Sequence, residues 1–333
     1  MKTKTKIIVL LLITIALFSL AACGANDQPP AVQDRPPAYA SDNGTDSNES
    51  DATDSDALPI TMDRAGNPIT IPENIDSILS MGPAVTEVLV ALGFADAIIA
   101  TDSHSGDIDG IDLSIAVFDM QSPDVEQMLV LQPDVIIAST IIMGGGDDPL
   151  RLVSEMGVSV IYVPTSETIE AIEENIMFLA AVLDAVQAGE DIVSNMRREI
   201  DEIRSIGETI TDRRSVYFEI NPAPFMFSFG RGVFLNEMIE IIGAVNVFEE
   251  YEGWISVADE DILQVDPEVI LTNVSFIENP IDEIKSRPGW YGVDAVINGE
   301  VHFIDTNASS RQTHNIITAL LQMARAIYPE YFN

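Results

Sequence analysis

The stretch Glu126-Gln-Met-Leu-Val-Leu-Gln-Pro-Asp-Val-Ile136 recurs 134 positions later as Glu260-Asp-Ile-Leu-Gln-Val-Asp-Pro-Glu-Val-Ile270, with five of the eleven residues identical. Each copy has apolar residues at helical spacing, then a proline, then the start of a short apolar run. A proline ends a helix, and a short apolar run after it indicates a buried strand. A second pair of similar stretches, residues 86–93 and 236–243, is displaced by 150 positions and occurs in the same order. The repeats therefore predict two α/β halves with mainly parallel sheets.

Strands and helices alternate along the first half, and a helical region separates it from the second. Strands are predicted at residues 69–71, 75–81, 96–100, 134–138 and 158–163, and helices at 83–92, 125–131, 149–156, 168–186 and 188–206. The last helix has Ile192, Met196, Ile200 and Ile203 at spacings of three and four, which predicts one buried face. We expect an α/β protein of two Rossmann-like lobes joined by this one long, rigid helix.

The N-terminus has the layout of an export signal. Lys2, Lys4 and Lys6 precede an apolar run at residues 7–20, which is too short for a bilayer span. The run ends in Leu20-Ala-Ala-Cys23, and Cys23 is the one cysteine of the sequence. This ending resembles a bacterial lipobox, which implies cleavage before Cys23 and lipidation of that residue, including a fatty acyl chain such as palmitate. An ordinary secretory signal with an incidental cysteine is the alternative.

Composition sets the organisation of the remainder and excludes some partners. The sequence has 54 Asp and Glu against 16 Lys and Arg, a net charge of −38, so nucleic acid is excluded as a partner. Residues 26–57 are polar, acidic and nearly free of large apolar side chains, which predicts a disordered tether. The predicted parts are a signal peptide (1–22), a lipidated tether (23–57), a first lobe (58–186), a connecting helix (187–209) and a second lobe (210–333).

Taken together, these features resemble the substrate-binding proteins of ABC importers for ferric siderophores, haem and cobalamin. The resemblance covers roughly residues 69–330 and is carried by seven segments, at residues 77–93, 129–139, 234–248, 253–257, 266–271, 287–290 and 299–305. It implies a fold like that of class III periplasmic binding proteins. It also implies a monomeric receptor, lipid-anchored on the extracytoplasmic face of the cell membrane, that delivers its ligand to a permease and its ATPase.

The carboxyl ends of the two sheets are where an α/β receptor of this kind binds its ligand. The candidate ligand-binding residues are Met81, Pro83, His104, Thr140, Phe225, Phe227, Arg231, Trp254 and Arg311. Three of them have alternative interpretations: His104 as an exposed loop residue, Phe227 as part of a core strand, and Trp254 as packing between lobes. In the resembled family, proline and glycine more often surround the arginine that Arg311 matches.

Few cations lie near this predicted cleft, and Arg231 and Arg311 are the best placed. A trianionic ferric catecholate usually needs several cations, so a neutral or weakly charged ligand is favoured, such as a ferric hydroxamate or a corrinoid. Haem stays open, with two propionates for the two arginines. With three histidines in the whole sequence, a zinc site is not expected. No cofactor or catalytic residue is expected either.

Docking to the permease is implied, by the same resemblance, to use one acidic residue on each lobe. Asp148 displaced by 134 positions falls on Asp282, and Asp147 and Glu283 are their neighbours. These four residues are the predicted docking points, with arbitrary surface carboxylates as the alternative. Two rival functions remain open at this stage: a lipid-anchored enzyme (a hydrolase or an iron-chelate reductase) and a solute sensor without a transport role.

Overall fold

The computed structural model describes residues 59–144 and 146–332. The predicted signal peptide, the lipidation site Cys23 and the tether lie outside these residues. Within the described ranges, the helices are all too short or too polar to cross a lipid bilayer.

The first sheet has five parallel strands. They are β1 (Ile78–Met81), β2 (Ile98–Asp102), β3 (Ala116–Phe118), β4 (Val135–Ser139) and β5 (Ser159–Val163), in the order β3-β2-β1-β4-β5. The helices of this lobe are α1 (Pro83–Ala91), α2 (Val125–Leu131) and α3 (Arg151–Glu155). Two helices follow, α4 (Ile169–Val182) and α5 (Val186–Gly207). Their separation is sharper than predicted, because Asp184 between them has a positive φ of 53° that ends the first helix early.

The second sheet repeats this plan. Its strands and those of an adjoining ribbon are β6 (Ser215–Glu219), β7 (Phe227–Phe229), β8 (Val245–Asn246), β9 (Trp254–Ser256), β10 (Val269–Thr272) and β11 (Val301–Phe303). The parallel sheet has the order β11-β10-β6-β8, while β7 and β9 form a separate antiparallel pair. The helices are α6 (Phe234–Ile241), α7 (Asp259–Val265), α8 (Pro280–Ser286), α9 (Asp294–Asn298), α10 (Thr306–Ser310) and α11 (Ile316–Ile327).

The internal repeat predicted from the sequence is confirmed residue by residue. Helices α2 and α7, and strands β4 and β10, each begin 134 positions apart. The turn between helix and strand also corresponds, since Gln132 and Asp266 both take a left-handed conformation, with φ of 50° and 44°. The strand order β2-β1-β4-β5 in the first lobe matches β8-β6-β10-β11 in the second. The expected architecture of two α/β lobes is therefore confirmed.

Two local predictions were wrong. Residues 69–71 do not form a strand, and the only pairing near them in the described ranges is an isolated bridge between Met62 and Pro68. Strand β3 was missed because it has only three residues and follows a polar stretch rich in Asp, Gly and Ser. Strands this short give too little alternation to be read from a sequence.

Helix α5 connects the two sheets and buries one face. Val193, Met196, Ile200 and Ile203 are buried, whereas the predicted Ile192 is only half-buried. These side chains belong to one apolar cluster that also contains buried residues of β1, β4, β6 and β10. A continuous core thus runs from the first sheet along α5 to the second, while the far face of each sheet has a smaller core of its own.

The end of α5 meets the second lobe backbone to backbone. A Cβ atom at Gly207 would lie 2.3 Å from the carbonyl oxygen of Ile241, and one at Gly243 would lie 2.5 Å from the carbonyl oxygen of Gly207. Gly243 also has a φ of 87°. Its repeat counterpart Gly93 has a similar φ of 94°, but open space surrounds its Cβ position.

This matched pair separates backbone conformation from close packing. Gly93→Ala should cost about 1–2 kcal/mol, the penalty of a left-handed alanine. Gly243→Ala should cost a further 1–3 kcal/mol or so, because the added methyl group forces α5 and α6 apart. Urea denaturation followed by tryptophan fluorescence measures both, and equal losses in the two variants would contradict the close approach.

Candidate functional site

A cavity of about 870 Å³ lies between the two lobes. The first lobe contributes the residues that follow β1, β2, β3 and β4, and the second lobe contributes α10 and the residue after it. The residues that line the cavity are Pro83, Ser103, His104, Gly106, Asp107, Asp119, Met120, Gln121, Ile141, Ile142, Asn307, Ser310 and Arg311. Each lining segment of the first lobe begins within two residues of the carboxyl end of a parallel strand. These strand ends are where α/β proteins bind ligands.

A buried carboxylate shapes the loop of the first lobe. Asp102, the last residue of β2, is fully buried. Its Oδ2 accepts hydrogen bonds from the backbone N–H of Gly82 (2.9 Å) and the hydroxyl of Ser105 (2.6 Å). Its Oδ1 accepts from the backbone N–H of His104 (2.8 Å). A buried carboxylate is tolerated when its lone pairs are used in this way. Asp102 therefore joins the turn that starts α1 to the loop that carries His104.

An ion pair crosses the cavity between the lobes. Arg311 Nη2 donates to Asp107 Oδ1 at 2.6 Å and to the carbonyl oxygen of His104 at 3.2 Å. The side-chain amide of Asn307 donates to the other Asp107 oxygen at 2.6 Å. Partial burial raises the pKa of Asp107, but the hydrogen bonds from Arg311 and Asn307 outweigh it and hold that pKa below its usual value. The pair is therefore fully charged near neutral pH.

A second set of polar contacts joins the lobes beside this pair. The hydroxyl of Thr313 donates to one oxygen of Glu87 (3.1 Å), and the side-chain amide of Asn315 donates to the other (3.2 Å). Burial lowers the pKa of His314, which lies between them, against the opposing effect of Glu87. A neutral His314 at pH 7 follows, so the charge of the cavity does not depend on it.

Four of the predicted ligand residues come from the first lobe. Pro83 and His104 line the cavity, and Thr140 directly precedes the lining residue Ile141. Met81 does not line the cavity. It lies on β1, a central strand covered on both faces, and its side chain is fully buried in the core of the lobe. The Met81 side chain is therefore not exposed to the cavity, and its predicted contact with ligand stays a prediction.

The other five come from the second lobe, and one of them, Arg311, lines the cavity. Phe225, Phe227, Arg231 and Trp254 do not line it: Phe227 and Trp254 lie on β7 and β9, Phe225 lies in the loop before β7, and Arg231 follows β7. Phe225 is 80% exposed and Trp254 47% exposed, and the Trp254 ring meets the buried Phe229 edge-on at 5.9 Å between centroids. The loop follows the carboxyl end of β6, so Phe225 lies at the edge of the second sheet where α/β proteins bind ligands.

Several lining residues were not singled out from the sequence. Asp119, Met120 and Gln121 follow β3, so missing that strand meant missing them. Asp107, Asn307 and Ser310 are polar loop or helix-end residues of common types. The rule that ligand residues follow parallel strands would have indicated Asp107, five residues after β2.

The four predicted docking residues divide into two kinds. Asp148 accepts hydrogen bonds from the Tyr162 hydroxyl and from the backbone N–H of Leu150 (2.8 Å), and Glu283 accepts from Arg287 at 3.0 Å. Asp147 and Asp282 are exposed. Asp148 and Glu283 therefore form hydrogen bonds within the protein, and Asp147 and Asp282 are left at the surface.

The same Arg287 forms a buried ion pair with Glu219 at the end of β6. Its guanidinium donates to both Glu219 oxygens, at 2.6 and 2.9 Å, and lies 4.7 Å from the centre of the Trp290 ring. This pair ties α8, which carries Asp282, to the second sheet. Removing one partner of such a buried pair would leave the other charge uncompensated, so both residues are needed to hold α8 in place.

Among the residues that the structure describes, no three His, Cys, Asp or Glu side chains lie close enough together to hold a metal ion. Another cavity of about 750 Å³ lies along α5, lined by six carboxylates and three arginines of α4, α5, α6 and adjoining turns. No strand end contributes to it, so it lacks the position expected of a ligand site.

Comparison with known proteins gives consistent results. The sequence model of the periplasmic binding protein family matches residues 78–308. The chain is 26% identical over 283 residues to an uncharacterised ABC transporter substrate-binding lipoprotein, YvrC, of Bacillus subtilis, covering 83% of this chain and 88% of that protein. It is 25% identical over 253 residues to the vitamin B12-binding protein of Vibrio cholerae, covering 74% and 87%.

Solved structures share the fold. A possible iron-binding, periplasmic solute-binding protein from Staphylococcus epidermidis superimposes with a TM-score of 0.69 at 23% identity. The match covers 77% of this chain and 100% of that one. The two-lobed fold described above is therefore shared with a solved structure.

The role of Asp102 can be tested by an isosteric change. Asp102→Asn should lower stability by about 1–3 kcal/mol, because the new NH2 group faces a backbone N–H or a hydroxyl donor that loses its acceptor. Urea denaturation measures the loss, and hydrogen-exchange mass spectrometry should show faster exchange at Gly82 and His104. Asp109→Asn, at an exposed position of the same loop, is the control. Equal stability of the two variants would contradict this role.

Proposed function

The chain belongs to the periplasmic binding protein family, and we propose that it is the substrate-binding component of an ABC importer, presenting its ligand to a permease from the outer face of the membrane. It is a binding protein and not an enzyme, as expected from the sequence, since the family and the relatives consist of binding proteins. The observation that carries the proposal is the interlobe cavity at the carboxyl ends of the strands.

The charges of the cavity favour a neutral or weakly charged ligand. Arg311 is the one cation among the lining residues given above, and Asp107 already neutralises it, while Asp119 adds a further negative charge. A polyanionic ferric catecholate would find no free cation there. Arg231, the other arginine considered for haem propionates, does not line the cavity.

A corrinoid is the ligand class we place first, with a ferric hydroxamate second. The exposed faces of Phe225 and Trp254 would pack against a large ring or chelate. The similarity to a vitamin B12-binding protein supports the same choice.

Membrane attachment is proposed through the lipidated Cys23, with residues 23–57 as the tether and residues 58–186, 187–209 and 210–333 as first lobe, connecting helix and second lobe. Two acyl chains on one residue hold a protein stably at a membrane, where a single chain is marginal. The similarity to a substrate-binding lipoprotein supports this arrangement. The receptor is proposed to act as a monomer.

The proposal is tested on protein purified from the membranes of its own host. Native mass spectrometry should show a mature chain that begins at Cys23, carries lipid, and retains a corrinoid or ferric hydroxamate. Ligand-stripped protein should then bind such ligands tightly and a ferric catecholate weakly when tryptophan fluorescence is titrated. Trp290 is fully buried, so Trp254→Phe should remove most of the signal change.

Three results would contradict parts of this proposal separately. Tightest binding by a catecholate would refute the ligand class, and an unmodified N-terminus would refute the anchor. Failure of every siderophore, haem and corrinoid to bind would refute all three proposed ligand classes.

Docking to the permease is proposed to use Asp147 and Asp282, the two exposed residues among the four predicted, which would face permease arginines. Reversing both charges (Asp147→Lys with Asp282→Lys) should reduce uptake at least about tenfold while leaving the ligand Kd unchanged, because neither residue lines the cavity. Uptake of labelled ligand by whole cells, with the Kd from fluorescence, measures both effects.

The matched control is Asp191→Lys, a charge reversal at an exposed position of α5. It should leave uptake unchanged. Normal uptake by the Asp147/Asp282 double variant would sink the docking assignment, and a receptor that binds ligand but supports no uptake in any form would favour the sensor role.

A further inference from the structure

We propose that Asp107 and Arg311 form an ionic latch across the cavity that selects ligands by charge. A ligand with an anionic group has to compete with Asp107 for Arg311, whereas a neutral ligand leaves the latch closed. This inference rests on the proposed function and deepens it, since it names two residues that would set which class of ligand is accepted.

The two halves of the latch differ in freedom. The side chain of Arg311 is 9% exposed, and the carbonyl oxygen of His104 fixes its orientation from a second direction. The side chain of Asp107 is 53% exposed and sits on a loop. Arg311 is therefore the fixed charge, and Asp107 is the partner able to rotate into solvent.

The position of the latch exposes it to the ligand. Asp107, Arg311 and the second partner of Asp107, Asn307, all line the interlobe cavity. The segments that carry Asp107 and Arg311 belong to different lobes, so a ligand bound between the lobes meets both.

The electrostatic consequence is a selective penalty on anions. An anionic group that contacts Arg311 competes with Asp107 for the same guanidinium, and it then lies close to the Asp107 carboxylate. Asp119, on the same cavity wall, adds to this repulsion. A neutral ligand avoids both costs, because the latch stays paired and its charges stay compensated.

The test uses two ligands with the same ring, haem and haem dimethyl ester, in which methylation removes the negative charge of both propionates. Titrations followed by Soret absorbance give the ratio of the two Kd values for each protein. Asp107→Asn should shift this ratio at least about tenfold in favour of haem, because Arg311 is then free to pair with a propionate. Asp107→Asn with Arg311→Gln should show no such shift.

Asp119→Asn is the matched control, because it also removes one negative charge from the cavity wall. The Asp119 carboxylate does not hold Arg311 but accepts hydrogen bonds from the backbone N–H groups of Gln121 and Ser122. Its shift should stay below about threefold. An equal shift in Asp107→Asn and Asp119→Asn, or an unchanged ratio in Asp107→Asn, would overturn the latch.

Failure of the latch and failure of the proposed function give different results. If neither ring binds any variant, the tetrapyrrole part of the ligand proposal fails, and inorganic phosphate replaces the rings as probe. Phosphate should then raise the melting temperature of Asp107→Asn, and not of the wild type or the double variant. The same response in all three proteins would overturn the latch independently of the ligand.

Discussion

The apolar seam along α5 is the constraint on which the other features depend. Its buried residues, Val193, Met196, Ile200 and Ile203, share one core with strands of both sheets. Rotating one lobe away from the other would expose part of that core to water, at a cost of about 25 cal/mol per Å² of apolar surface. The width of the cavity is therefore set mainly by packing behind it. Ligand choice then falls to the chemistry of the lining side chains.

Polar groups perform the complementary task on the cavity side. Asp102 gathers three donors from two loops, and Arg311 reaches from the second lobe to Asp107 and to the backbone at His104. Hydrogen bonds of this kind are directional, whereas apolar packing is not. The apolar seam fixes how far apart the lobes stand, and the polar contacts fix where individual loop atoms lie within that space.

Local patterns were predictable from the sequence, and long-range partners were not. The boundaries of α2 are as predicted, because a capping Asp124, a helical period and Pro133 act within a few residues. Asp107 and Arg311 are 204 residues apart, and no local pattern links them. The direction of the Met81 side chain depended on which helices cover β1. The Asp107–Arg311 pairing and the direction of the Met81 side chain both depend on tertiary packing. The region of the site was therefore predictable from the sequence, but its individual residues were not.

The buried seam has a kinetic consequence for the proposed importer. If α5 holds the lobes at one spacing, Asp147 and Asp282 stand equally far apart in empty and loaded receptors. An empty receptor then competes with a loaded one for the same permease. The transport rate therefore depends on the fraction of receptors that hold ligand. Throughput would be highest where receptors are few enough, or ligand abundant enough, that unloaded copies seldom block the entrance.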